Sequence, residues 1–118
     1  MDPIKKTQEA NVFVLEISGS IQHGDTPAFE EGIERVLNDG ARFVVLNFTS
    51  LRYICSSALG VLIASKRKIR RREGDIRIVL QEGDVLRVFR ITLLDRVFHF
   101  YDDLPGAVKS FDDLVPEA

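Results

Sequence analysis

Three adjacent residues, Cys55-Ser56-Ser57, set one thiol and two hydroxyls between an apolar stretch and a helical pattern in "LRYICSSALGVL", Leu51 to Leu62. Such a triplet suits a covalent nucleophile, a helix start, or a point where another protein writes a modification. A serine hydrolase elbow needs Gly-x-Ser-x-Gly, whereas this chain has Ile54-Cys55-Ser56-Ser57-Ala58. The two histidines, His23 and His99, come with no recognisable carboxylate partner, so the sequence supplies neither a base nor its orienter. A helix N-terminus lowers a thiol pKa, which keeps a nucleophilic or redox-sensing Cys55 as a minor enzyme-class reading. The glycines in "GSIQHG" and "SALGVL" match neither a P-loop nor a dinucleotide fingerprint, and no cofactor is expected.

A serine at the helix start is explained by capping, since its hydroxyl satisfies an orphan N–H for about 1 kcal/mol. Capping needs one serine, not two. A phosphate at this place would face free N–H groups and the positive helix end, so the fold would tolerate it. It would add about −1.5 to −2 charges at one surface point, enough to break a packed interface without unfolding the chain.

The remaining chemistry-bearing residues have plainer readings. His99 alternates inside "VFHFY" as a satisfied strand histidine, and His23 sits in a polar turn, where a partner contact and a plain loop residue fit equally. In "KRKIRRR", six of seven residues are basic, but a helix C-terminus favours cations, and no aromatic residues interleave. A solvated helix end is favoured there over a nucleic-acid site, with a partner's acidic patch as the intermediate case.

The elements that must position these residues follow from periodicity. "NVFVLEISGSI" reads as a strand that stops at Gly19, with "IKKTQEA" as an edge partner in a hairpin. "DTPAFEEGIERVLNDG" reads as an amphipathic helix capped by Thr26, with Pro27 first, Phe29, Ile33, Val36 and Leu37 buried, and Gly40 just past the end. "RFVVLNF" suits a strand buried on both faces. A helix from Ser56 to about Arg72 buries Leu59, Leu62, Ile63 and Ile69, then come strand "DIRIVL", a helix from Asp84, strand "VFHFY", and a helix capped by Asp102 or Asp103 and closed by Pro116. The order β, β, α, β, α, β, α, β, α implies an α/β layer with a mostly parallel sheet.

Length and composition are consistent with one domain over residues 1–118: 45% hydrophobic, 29% charged, formal net charge −2. The charge gives no global attraction to nucleic acid or acidic membranes. The lone cysteine and the absence of metal spacing around it suit a reducing cytoplasm, and "MDPIKKTQEA" has no apolar leader core, so neither export nor membrane insertion is expected.

With these residues placed, the chain resembles a STAS domain of the kind found in bacterial anti-sigma-factor antagonists. The resemblance rests on "VFVLEISGSIQ", "FVVLNFTSLRYICSSALGVLIA", "GDIRIVLQEGDVLRVFRITLLDRVF" and "FYDDLPGAVKSF", which together span nearly the whole chain. The second is the most specific, because the family sets an Asp-Ser-Ser/Ala-Gly-Leu-Gly signature after a buried strand, at a helix start. It implies an α/β fold with a mixed, mostly parallel sheet of about five strands and packed helices, no catalysis, and binding to an anti-sigma factor that is often a serine kinase. It also implies phosphate on Ser56 as the release signal and a phosphatase as the reset. The expected docking ridge is Cys55, Ser57, Leu59 and Gly60 with the loop Gln22, His23 and Gly24. The alternative within the family is a non-phosphorylated adaptor of a lipid-transport ABC system or signalling assembly. The chain departs from the pattern at Cys55 for aspartate, Ala58 for glycine, Gln22 for an acid, and Leu93 where glycine is common.

Overall fold

The computed structural model describes residues 1–114. A five-stranded sheet has the order β1-β2-β4-β6-β7, built from β1 (Lys5–Glu9), β2 (Val12–Glu16), β4 (Phe43–Asn47), β6 (Asp75–Val79) and β7 (Phe100–Tyr101). Only β1 runs antiparallel to its neighbour, and the other pairs are parallel. The mixed, mostly parallel α/β sheet expected from the sequence is present. Helices α1 (Thr26–Asn38), α2 (Ser56–Arg70), α3 (Asp84–Ile91) and α4 (Leu104–Ser110) connect and cover it.

Strand β4 is buried along four consecutive residues because both of its faces are covered. Val44 and Leu46 join a large core with Phe29 and Ile33 of α1, Leu59 and Leu62 of α2, and Val85 and Phe89 of α3. Phe43 and Val45 point the other way, into a smaller core with Val12, Val14, Val79, Ala107 and Phe111. The alternation of strand side chains thus splits one apolar run between two layers. Gly40, at φ +90°, turns the chain out of α1 in the left-handed region and donates its N–H to the Leu37 carbonyl. At Gly74 a Cβ would lie 2.0 Å from the Arg42 carbonyl oxygen, so a side chain there would push β4 and β6 apart.

The smaller core is closed by an ionic group. Asp75 and Arg77 are 1% and 4% exposed, yet both are fully engaged. Asp75 pairs with Lys66 at 2.8 Å and with Arg77 at 3.2 Å, and accepts the Ile76 N–H. Arg77 donates to the Ser110 carbonyl at 2.6 Å, pairs with Asp113 at 3.2 Å, and lies over the Phe111 ring. The arrangement fastens α4 to β6. Burial works to raise the Asp75 pKa, but Lys66, Arg77 and the Ile76 N–H outweigh it and hold the carboxyl below the ordinary range.

Several details of the fold differ from the sequence reading, and Ile63, expected in the core, is only partly buried. A second sheet of two parallel strands, β3 (Gly19–Ile21) and β5 (Leu51–Ile54), is present. At three and four residues these strands are too short for an alternation to register. The last strand holds only Phe100 and Tyr101, which leaves His99 exposed and outside it, contrary to the expected strand histidine. Asp103, not Asp102, caps α4 by accepting the Gly106 N–H at 2.8 Å, while Pro116 lies outside the described residues.

Two predictions follow the backbone and the ionic group. Leu93 sits at φ +63° while 55% exposed, so Leu93→Gly relieves left-handed strain and loses little packing. A gain of about 1 kcal/mol in urea unfolding is expected; an unchanged or lower midpoint contradicts it. Asp75→Asn leaves Lys66 and Arg77 without their shared counter-ion and should cost about 3–5 kcal/mol. Because the folded pKa is depressed, the carboxylate stabilises fully above the ordinary carboxylate range, and this is lost as pH falls through and below it. The variant's stability should therefore fall less steeply with acid than the wild type's; parallel acid-unfolding curves would refute this.

Candidate functional site

Strands β3 and β5 run parallel and end side by side, with Ile21 opposite Ile54. Parallel pairing puts whatever follows each strand at the same edge. Gln22 to Asp25 follow one, and Cys55 to Ser57 follow the other. The Cys55 N–H donates to the Ile21 carbonyl at 3.0 Å, which extends the pairing into the site.

The helix does not begin on a serine cap as expected. Cys55 is the last extended residue, at φ −85° and ψ 165°, and occupies the N-cap position, so Ser56 and Ser57 are the first two helical residues. Its thiol makes no capping hydrogen bond of normal geometry. Similarly, Asp25 precedes α1, and Thr26 and Pro27 are its first and second residues. The Asp25 carboxylate instead accepts the Gln22 N–H at 2.8 Å, closing a short 3-10 turn over His23–Asp25.

Thr26 is thereby released to join a cluster the sequence did not disclose. Its hydroxyl is hydrogen-bonded to Ser57 Oγ at 2.8 Å and lies 3.6 Å from Cys55 Sγ. Ser57 Oγ is also 3.2 Å from Cys55 Sγ and 3.2 Å from His23 Nδ1. A hydroxyl has one donor and two acceptor positions, so these three contacts use its full capacity. Ser57 ties the end of β5 to the loop after β3. The Ser56 hydroxyl is exposed and has no hydrogen-bond partner among the described residues.

Burial divides the expected docking residues. Gln22, His23, Gly24, Ser56 and Gly60 are exposed, and the space over Gly60 is open. Ser57 is half-buried, and Cys55 is only 8% exposed. Leu59 is 7% exposed and packs into the large core, which corrects its placement on a docking ridge: it holds α2 down from beneath. Tyr53 on β5, 46% exposed two residues before Cys55, is a surface aromatic that the sequence reading passed over.

The cluster shapes the thiol. Burial works to raise the Cys55 pKa, but contact with the Ser57 and Thr26 hydroxyls and the nearby Ala58 and Ser57 N–H groups outweigh it, so the thiol is more acidic than usual. No carboxylate bonds His23 among the described residues, and none of these residues group as a three-ligand metal site. No helix there is long and apolar enough to cross a membrane.

The family model for the STAS domain matches residues 3–107. The chain belongs to the STAS domain family. An "Anti-sigma-B factor antagonist" of Staphylococcus aureus is 22% identical over 81% of this chain and 89% of its own. The crystal structure of an anti-sigma factor antagonist from Mycobacterium paratuberculosis superposes with a TM-score of 0.87 at 25% identity, covering 94% of each chain. The antagonist SpoIIAA shares the fold at 17% identity and a TM-score of 0.80 in its unphosphorylated form, over 97% of this chain and all of its own. The same protein from Bacillus is also known in a phosphorylated form, with a TM-score of 0.68 at 16% identity over 96% of this chain and all of its own.

In this STAS domain Cys55 stands where the signature has an acid, and the thiol turns toward Thr26 and Ser57. Ser57→Ala removes the leading hydrogen bond on the thiol, so the pH midpoint for Cys55 alkylation by iodoacetamide should move up and stability should fall by about 1–2 kcal/mol. An unmoved alkylation midpoint would show that Ser57 does not tune the thiol.

Proposed function

We propose that this protein is an anti-sigma-factor antagonist in the cytoplasm, binding a kinase-type anti-sigma factor and released from it by phosphorylation of Ser56. A phosphatase restores the binding form. The observation that carries the reading is the contrast between the two serines. Ser57 is saturated by Thr26, Cys55 and His23, whereas Ser56 is exposed and unbonded at the first helical position. A phosphate on Ser56 would meet the free N–H groups of α2, whose first turn holds no acidic residue to repel it. The same group on Ser57 would break three contacts and part the two loops.

The names of the relatives support the partner class, and the phosphorylated form known for one of them supports the switch. The docking surface is formed by Ser56 and Gly60 of α2 with Gln22, His23 and Gly24, and Cys55 and Ser57 hold that surface in place. These few residues are too small for a stable interface of roughly 1,600 Å², so more of the exposed α2 face must take part.

The test is incubation with a kinase-type anti-sigma factor from the same genome, ATP and Mg²⁺, followed by mass-spectrometric mapping. Phosphate is expected on Ser56 in the wild type and in Ser57→Ala, and on neither serine in Ser56→Ala. Ser56→Asp should weaken binding about ten- to a hundredfold. Phosphate on Ser57 alone, or none with binding intact, would reject the switch. The second of these outcomes would leave an adaptor role, for which recovery of an ABC-type ATPase as the partner would be the evidence.

A further inference from the structure

The C-terminal half of α2 carries more positive charge than the fold uses. Lys66 is paired with Asp75 at 2.8 Å, Lys68 with Glu34 at 2.5 Å, and the Arg72 guanidinium donates to the Leu37 carbonyl at 2.5 Å. Lys66 and Lys68 stitch α2 to β6 and α1, and Arg72, two residues past its end, adds a second link to α1. Arg67, Arg70 and Arg71 are exposed and have no ion pair among the described residues. The acid nearest to them in the chain is Glu73, which lines a hollow with Arg70 and Arg42.

Helix-end electrostatics does not account for the three. Cations near a C-terminus are favourable, but Lys66, Lys68 and Arg72 already supply them. Arg67 stands three and four residues before Arg70 and Arg71, and like charges at those spacings destabilise a helix by about 0.2–0.5 kcal/mol per pair. Folding alone would favour dispersing them. The chain as a whole is acidic, at net −2, so this is a local patch, not part of a basic surface.

At 100° per residue, Arg67, Arg70 and Arg71 fall on the same face of α2 as Ser56, Gly60 and Ala64, and all six are exposed. Arg67 is about 16 Å along the axis from Ser56. That is about two Debye lengths at physiological salt, so a phosphate on Ser56 would neither neutralise the arginines nor be held by them.

We infer that Arg67, Arg70 and Arg71 form a docking patch for an acidic surface on the protein partner, at the far end of the helix face that begins at Ser56. The inference rests on the proposed function for the identity of the partner. Guanidinium groups suit carboxylates through planar paired donors, and such a patch sets the rate and salt dependence of encounter while the Ser56 end decides whether the docked complex persists. A nucleic-acid ligand is disfavoured by the acidic remainder of the chain.

The test titrates the 15N-labelled chain with a synthetic Glu/Asp-rich peptide, reading the arginine Nε–H signals, with a DNA duplex in parallel. The signals of Arg67, Arg70 and Arg71 should move together, weakening as salt rises, while those of Arg52, Arg87 and Arg96 stay. R67A/R70A/R71A should bind the peptide about tenfold more weakly, and the charge-keeping R67K/R70K/R71K should retain much of the binding and controls for folding. Against the anti-sigma factor, the alanine variant should associate about tenfold more slowly at an unchanged dissociation rate. Movement spread evenly over all arginines, equal peptide binding by the alanine variant, or tighter binding of DNA at the patch would overturn the inference. An anti-sigma factor that ignores the wild type while the peptide result holds would overturn the proposed function and leave the acidic-ligand patch standing.

Discussion

The parallel pairing of two very short strands is the constraint on which the site depends. β3 and β5 meet at Ile21 and Ile54, and the Cys55 N–H to Ile21 carbonyl bond carries that pairing one step beyond the strands. Both isoleucines are buried in the large core, where α3 packs against β5, so the pair is fixed from within the fold. Two loops more than thirty residues apart in sequence are thereby delivered to one edge. Without this pairing His23, Thr26, Cys55 and Ser57 would not meet.

Above that base, one hydroxyl locks the arrangement and its neighbour is left free. Ser57 spends all its hydrogen-bonding capacity joining Thr26, Cys55 and His23. Ser56 stands outside the cluster, at the positive end of a fifteen-residue helix. On the proposed reading, a charge added to Ser56 is expected to alter the surface and leave the packing beneath intact. The ionic group of Asp75 and Arg77 ties the far part of α2, through Lys66, and α4 to β6, well away from Ser56.

Much of this was legible in the chain. The four-residue apolar run at Phe43 announces a strand covered on both sides, and Phe29, Ile33, Val36 and Leu37 mark the buried face of α1. The Cys55-Ser56-Ser57 triplet stands out by residue type alone. What pattern could not supply was pairing between segments too short to show a period, and so the partnership of Thr26 with Ser57 stayed hidden. The roles of the two serines were likewise illegible, because capping preference speaks for serine and the backbone places Cys55 at that position instead. Leu59 shows the two readings in conflict: its spacing from Leu62 marks it as buried, the signature sets it on the docking ridge, and the structure follows the spacing.

The central claim is that the first helical position accepts a phosphate without disturbing the structure that holds it. Comparison of 1H–15N correlation spectra of the unphosphorylated protein and the protein phosphorylated at Ser56 tests it most directly. The account predicts changes confined to residues 22–26 and 55–60, with both cores unshifted and the binding of the anti-sigma factor lost. Shifts spread through Val44, Val45 and Phe111, or retention of full binding by the phosphorylated form, would contradict it.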